Sequence, residues 1–107
     1  MKGGEKMIKN ITRSYEDIND NSASMDIEIL DVESDDIDNQ KDILEKIINS
    51  KYVDFITVVN NNIKGRVRIS KKNAVGKLRK IKDRLLKEGF QYGNEKIQGD
   101  ETTYGFK

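Results

Sequence analysis

The 107-residue chain contains no cysteine and no histidine. Without cysteine there is no disulfide, no thiolate nucleophile and no cysteine-ligated metal, a composition that fits a reducing compartment. Without histidine, Ser-His-Asp and Cys-His mechanisms lose their base, the usual zinc sites lose a ligand, and no side chain has an unperturbed pKa near neutrality. Aromatic residues make up only 7% of the chain, so nothing surrounds its many carboxylates to lift one into the range of acid–base work. No stretch approaches the roughly 20 apolar residues of a membrane span, and the start lacks the apolar core of a signal peptide. These absences predict a cytoplasmic chain that is not an enzyme and has neither a metal nor a cofactor.

What is present is charge and isoleucine. Charged residues are 36% of the chain and hydrophobic ones 35%, with 14 isoleucines among them. A chain of this length removes roughly 60 to 70% of its unfolded surface from water, which predicts one thin core and a two-layer domain. Back-translated with A-rich codons, residues 1 to 6 read as a purine-rich ribosome-binding sequence placed just ahead of Met7. Residues 1–7 are therefore expected to be a leader ending at the native start, and 8–107 a single domain. The surplus of Ile, Lys, Asn and Asp, all served by AT-rich codons, points to a low-GC Gram-positive bacterium or one of its phages or mobile elements.

Along the chain, residues 8 to 14 read as a short strand and Asp17 to Ser24 as a polar loop. Met25, Ile27 and Ile29 alternate with Asp26 and Glu28, the period of a half-buried strand ending near Val32. Asp35 or Asp36 then caps a helix over 37–50 whose Ile37, Ile43, Leu44, Ile47 and Ile48 share one broad face. Tyr52 to Val59 and Arg66 to Ile69 read as a hairpin around Asn60-Asn61-Asn62 and Gly65. Ser70 is the expected cap of a second helix carrying Ala74, Leu78, Ile81 and Leu85, with Gly89 at its C-terminal end. A closing hairpin sets Phe90 and Tyr92 against Tyr104 and Phe106 around Gly99-Asp100. The predicted fold is α+β in the order ββαββαββ, an antiparallel sheet with two helices on one face.

Two motifs are tested and set aside. The acids from Asp31 to Asp42 alternate like a calcium loop, but its sixth position is Asp36 instead of glycine and its twelfth is Asp42 instead of glutamate. Gly76-Lys77 lacks the first glycine of a phosphate loop, which would fall on Lys71, and Leu78 stands where Ser or Thr must bind magnesium.

The remaining signal is the division of charge. The formal net charge is +1, yet ten acids and no base lie between Ser14 and Gln40, and eleven bases and one acid between Lys64 and Lys87. With the apolar stripe of the second helix turned to the core, Lys72, Arg79, Lys80 and Lys87 point away from it, with Lys77 and Arg84 on one flank. Those six could follow a phosphate backbone, with a salt slope of about minus five. Arg66 and Arg68 alternate with Val67 and Ile69, so they belong to the opposite face of the sheet, and two basic surfaces result. The expected function is DNA or RNA binding by an accessory protein of a phage or mobile element, through Lys72, Lys77, Arg79, Lys80, Arg84, Lys87, Arg66 and Arg68. The alternative is a phage-type anti-defence inhibitor or adaptor in which Asp31, Glu33, Asp35, Asp36 and Asp38 imitate nucleic acid and occupy a basic host or defence protein. A third expectation is a salt-sensitive homodimer joining the acidic region of one chain to the basic helix of another.

Overall fold

Alternation in the sequence becomes alternation in burial. The computed structural model describes residues 7–92, 94–97 and 100–105. In β2 (Ala23–Leu30) and β4 (Asn62–Ile69) every second residue is buried. The two strands pair antiparallel with Ala23 opposite Ile69, Met25 opposite Val67 and Ile29 opposite Ile63, so their apolar sets share one face. Against that face lie α1 (Ile37–Ile47), with Leu44 and Ile47 buried, and α2 (Ala74–Lys87), with Ala74, Leu78, Ile81 and Leu85 buried. All belong to one apolar cluster, which also takes in Phe90 and Tyr92. The domain is therefore a two-layer α+β fold with both helices on one side of the sheet.

The remaining strands are β1 (Ile8–Glu16), β3 (Val53–Val59), β5 (Gln91–Tyr92), β6 (Asn94–Ile97) and β7 (Asp100–Gly105). The sheet runs β3-β4-β2-β1-β6-β7, and β5 also pairs with β1. Here the sheet departs from a purely antiparallel one, because β5 and β6 both run parallel to β1. α2 leads back across the helical layer to the end of the sheet where β1 begins, so the chain re-enters alongside β1 in the same direction. Phe90 and Tyr92 consequently pack into the core beside β1. Gly99, Phe106 and the side chain of Tyr104 fall outside the described residues, as do residues 1–6 of the expected leader, whereas Met7 packs against the core.

α1 starts at Ile37 as expected, but its end and the capping of both helices differ from expectation. α1 ends at Ile47, because Ile48 is already extended and is buried. Asp36 stands at its N-cap, but its carboxylate accepts from the side-chain amides of Asn39 and Gln40, at 3.1 and 3.0 Å, and not from the backbone. α2 is not capped by Ser70. Asn73 takes the cap position in a left-handed conformation without a side-chain bond. The acceptor comes from the β1–β2 turn, where Asp20 takes the Val75 N–H on its carboxylate at 2.7 Å and the Ala74 N–H on its carbonyl at 3.3 Å. A carboxylate at a helix N-terminus satisfies an orphan donor and meets the positive end of the dipole. Asp20 itself has φ 60, so glycine is the replacement that removes the carboxylate without adding backbone strain. Because glycine at φ 60 offsets part of the roughly 1 kcal/mol lost with the acceptor, Asp20→Gly is expected to cost a few tenths of a kcal/mol, seen as a slightly lower urea midpoint, and Ser70→Ala to leave the midpoint in place; a Ser70→Ala variant less stable than Asp20→Gly would reject the cap.

At the other end of α2, Gly89 adopts φ 96 and its N–H donates to the Leu86 carbonyl at 3.1 Å, while the Phe90 N–H donates to Leu85 at 3.1 Å. This is the left-handed termination expected from the sequence, and it turns Phe90 back under the helix. Among the described residues no helix is long and apolar enough to cross a membrane.

Candidate functional site

The face of the sheet that carries no helix is polar, and its arrangement is set by two bulges. In β1 the register shifts between Ile11 and Arg13, so Thr12 is the extra residue. Ile11 faces the core opposite Ile27, but beyond the bulge it is Ser14 and Glu16 that face inward and Arg13 and Tyr15 that face outward. In β3 a second shift between Val53 and Phe55 places Phe55 opposite Arg66 on the open face. A bulge changes which face a side chain occupies, and here the two bulges turn Arg13 and Phe55 outward.

One row therefore crosses four strands, from Arg13 through Asp26 and Arg66 to Phe55. Asp26 holds the Arg66 Nε at 2.8 Å, and the Arg66 guanidinium lies 5.4 Å from the centre of the Phe55 ring. The hydrogen bond to Asp26, and then its charge, raise the pKa of Arg66 above the ordinary arginine value against desolvation, with the charge of Asp54 adding to the rise. A neighbouring row brings Tyr15, Ser24 and Arg68 together. The two rows enclose a shallow depression of about 270 Å³ lined by Arg13, Tyr15, Ser24, Asp26, Arg66 and Arg68. Arg13 and Arg68 are exposed, and neither forms an ion pair among the described residues. Three guanidinium groups around one carboxylate leave an excess of positive charge and a set of planar donors suited to phosphate.

Of the six cations expected on the second helix, Lys72 lies in the turn before α2 and the other five on it, and they are divided among several tasks. Arg79 binds Glu16 at 3.1 Å, and Arg84 donates to the Ile47 carbonyl at the end of α1 at 3.3 Å. Lys77 is half-buried, while Lys72, Lys80 and Lys87 are exposed. All six lie on the helical side of the domain, away from Arg66 and Arg68, so the eight predicted contacts form two surfaces. Arg13 joins the second of these. It was hidden in the sequence because simple alternation places it on the same face as Ile11.

The five acids gather at the end of the sheet where β2 leaves and β3 turns into β4. Asn61 fixes this corner, its side chain donating to the Val32 carbonyl at 2.8 Å and to the Ser34 hydroxyl at 3.2 Å. Asp31, Glu33, Asp35 and Asp38 are exposed, and Asp36 is occupied by Asn39 and Gln40. None of the five pairs with a cation among the described residues, and no three acids there come together as a metal site.

At the opposite end, where β3 begins, the Lys71 and Lys51 ammonium groups lie 5.3 and 5.9 Å from the centre of the Tyr52 ring. The Tyr52 hydroxyl is drawn below the usual tyrosine range, first by its hydrogen bond with Lys71, and also by the charges of Lys71, Lys51 and Lys77, against desolvation. Around β3 the two ends thus differ in charge, with Lys51 and Lys71 beside Asp54 at its start and the five acids near its turn into β4. Comparison with families of known proteins, with curated proteins and with solved structures finds no match to this chain.

Proposed function

We propose that the domain is a non-enzymatic nucleic-acid-binding protein that holds a single strand across the open face of its sheet. The convergence of Arg13, Arg66 and Arg68 on one depression bordered by Tyr15 supports this reading most strongly. Basic side chains that track a backbone, next to rings that can meet bases, are the elements of single-strand recognition. Phe55, at the end of the arginine row, extends that surface. The composition fits an accessory protein of a phage or mobile element acting in the cytoplasm.

Fluorescence anisotropy with labelled single- and double-stranded DNA and RNA at low salt tests the proposal. Three phosphate contacts on a single strand give a slope of log affinity against log salt of about minus two, against about minus five for the six cations of the helical side on a duplex. Arg13→Glu, Arg66→Glu and Arg68→Glu together should abolish binding. Lys72→Glu, Lys80→Glu and Lys87→Glu together should leave it within a few-fold. The reverse outcome would move the interface to the helix, and no binding to any probe would end the reading.

A second reading rests on the acidic corner, whose exposed carboxylates pair with no cation among the described residues. There the domain acts as an inhibitor or adaptor that imitates nucleic acid toward a basic host or defence protein. Charge reversal at Asp31, Glu33, Asp35, Asp36 and Asp38 would then abolish capture of that partner, while the open-face variant would still capture it.

A further inference from the structure

β3 is an outer strand of the sheet, pairing with β4 alone among the described residues. From Phe55 to Val59 it has no charge, no proline and no glycine, and Phe55, Val58 and Val59 are 40, 37 and 52% exposed. Natural sheets guard such edges with lysine, proline, shortening or a cover. Its one bulge, at Asp54, stands at the start of the strand and leaves about five residues of open edge beyond it. On the helical side, Ile48, Val53 and Ile56 line a groove between the end of α1 and this strand. Apolar surface is thus open on both sides of an edge whose backbone donors and acceptors have no neighbouring strand among the described residues.

Charge identifies the neighbour. β3 starts beside Lys51 and Lys71, which flank Tyr52 and outnumber Asp54 at that end, and ends at the turn that Asn61 ties to the acidic corner. In an antiparallel pairing of β3 with a second β3, the start of each strand lies beside the end of the other. A two-fold axis therefore sets the acids of each copy against the lysines of its partner at both ends of the junction. We propose that two copies of the chain pair antiparallel along β3 into one continuous sheet, closed at each end by an acid–lysine seam. The interface is isologous, as a two-fold requires. Its axis is perpendicular to the sheet, so both open faces point the same way and the two arginine depressions lie on one surface. The grooves beside α1 merge beneath the junction on the other.

Light scattering on the full chain, without nucleic acid, tests this independently of the proposed function. At low salt the mass should be twice the 12.3 kDa of the chain, falling toward the single-chain value as salt screens the seams. Phe55→Lys with Val58→Lys should give the single-chain mass at low salt. Because that variant alters an apolar strand, a second pair at exposed positions is decisive. Lys51→Glu with Lys71→Glu, and separately Asp35→Lys with Asp38→Lys, should each be monomeric alone and should form a mixed dimer when combined, since both seams then join opposite charges. A wild-type chain that is monomeric at every salt and concentration, an edge variant as dimeric as wild type, or two charge variants that fail to combine would each overturn the proposal.

Discussion

Leu78→Ala is expected to cost about 3 kcal/mol and to leave a measurable fraction of the domain unfolded at room temperature. Leu78 is 1% exposed and sits midway along α2, between Ala74 one turn before and Ile81 one turn after, over the face formed by β2 and β4. In a two-layer fold this single layer of side chains is the whole core. No second layer exists to close over the space that three lost carbons leave, and a domain of this size has about 5 kcal/mol or somewhat more to lose. Leu86, on the same helix but 40% exposed, is the internal control, and Leu86→Ala should shift the urea midpoint far less. Both variants should keep the wild-type denaturant slope, so that the change reads as stability and not as a different unfolded state. A Leu78→Ala midpoint equal to that of Leu86→Ala would mean that α2 does not pack as described.

The same alternation that makes the core fragile makes it readable. Met25, Ile27 and Ile29 in β2, and Val67 and Ile69 in β4, identify their buried face because the residues between them are charged or polar. The stripe Ala74, Leu78, Ile81 and Leu85 does the same for α2. Where the chain bends out of period, the pattern misleads. Thr12 is an ordinary strand residue and Asp54 a disfavoured one, but neither identity specifies a bulge, because a bulge follows from how two strands align and not from one of them. Arg13 and Phe55 lie just past those positions, so the side chains that complete the open-face row are the ones that alternation misplaces.

Capping shows a similar limit. Ser70 precedes α2 in sequence and has the right chemistry, but the chain makes a further turn through Asn73 before the helix begins. The free amides there meet Asp20, 55 residues earlier. Local rules find caps that are local. Likewise, period-2 patterns state which face of a strand is apolar but not which strand lies next to it. The parallel pairing of β1 with β5 and β6 is therefore not legible in the sequence, and of the two aromatics read as strand residues only Tyr92 lies in a strand, Phe90 being buried in the link between α2 and β5. The division of charge was visible as arithmetic. Its placement at the two ends of β3 required the topology.

Arg79→Ala is the second large effect, and it separates structural from binding cations. Glu16 is 5% exposed and faces inward from β1 because of the bulge at Thr12. One of its carboxylate oxygens accepts from Arg79 at 3.1 Å, and the other has no partner among the described residues. Removing the arginine leaves a buried carboxylate without its counter-charge, which is far more costly than the pair itself is stabilising. The guanidinium end is more than half exposed, so water can partly replace it and the loss falls below that of a fully enclosed pair, at about 2 kcal/mol. Replacing the carboxylate as well removes the cause of the penalty, so Glu16→Met with Arg79→Ala should be more stable than Arg79→Ala alone. Urea unfolding of the two single variants and the double variant measures this coupling directly. If Arg79 instead serves phosphate, Arg79→Ala should keep the wild-type midpoint and lose affinity for nucleic acid; if it serves Glu16, the midpoint falls and the affinity of the fraction that remains folded is unchanged.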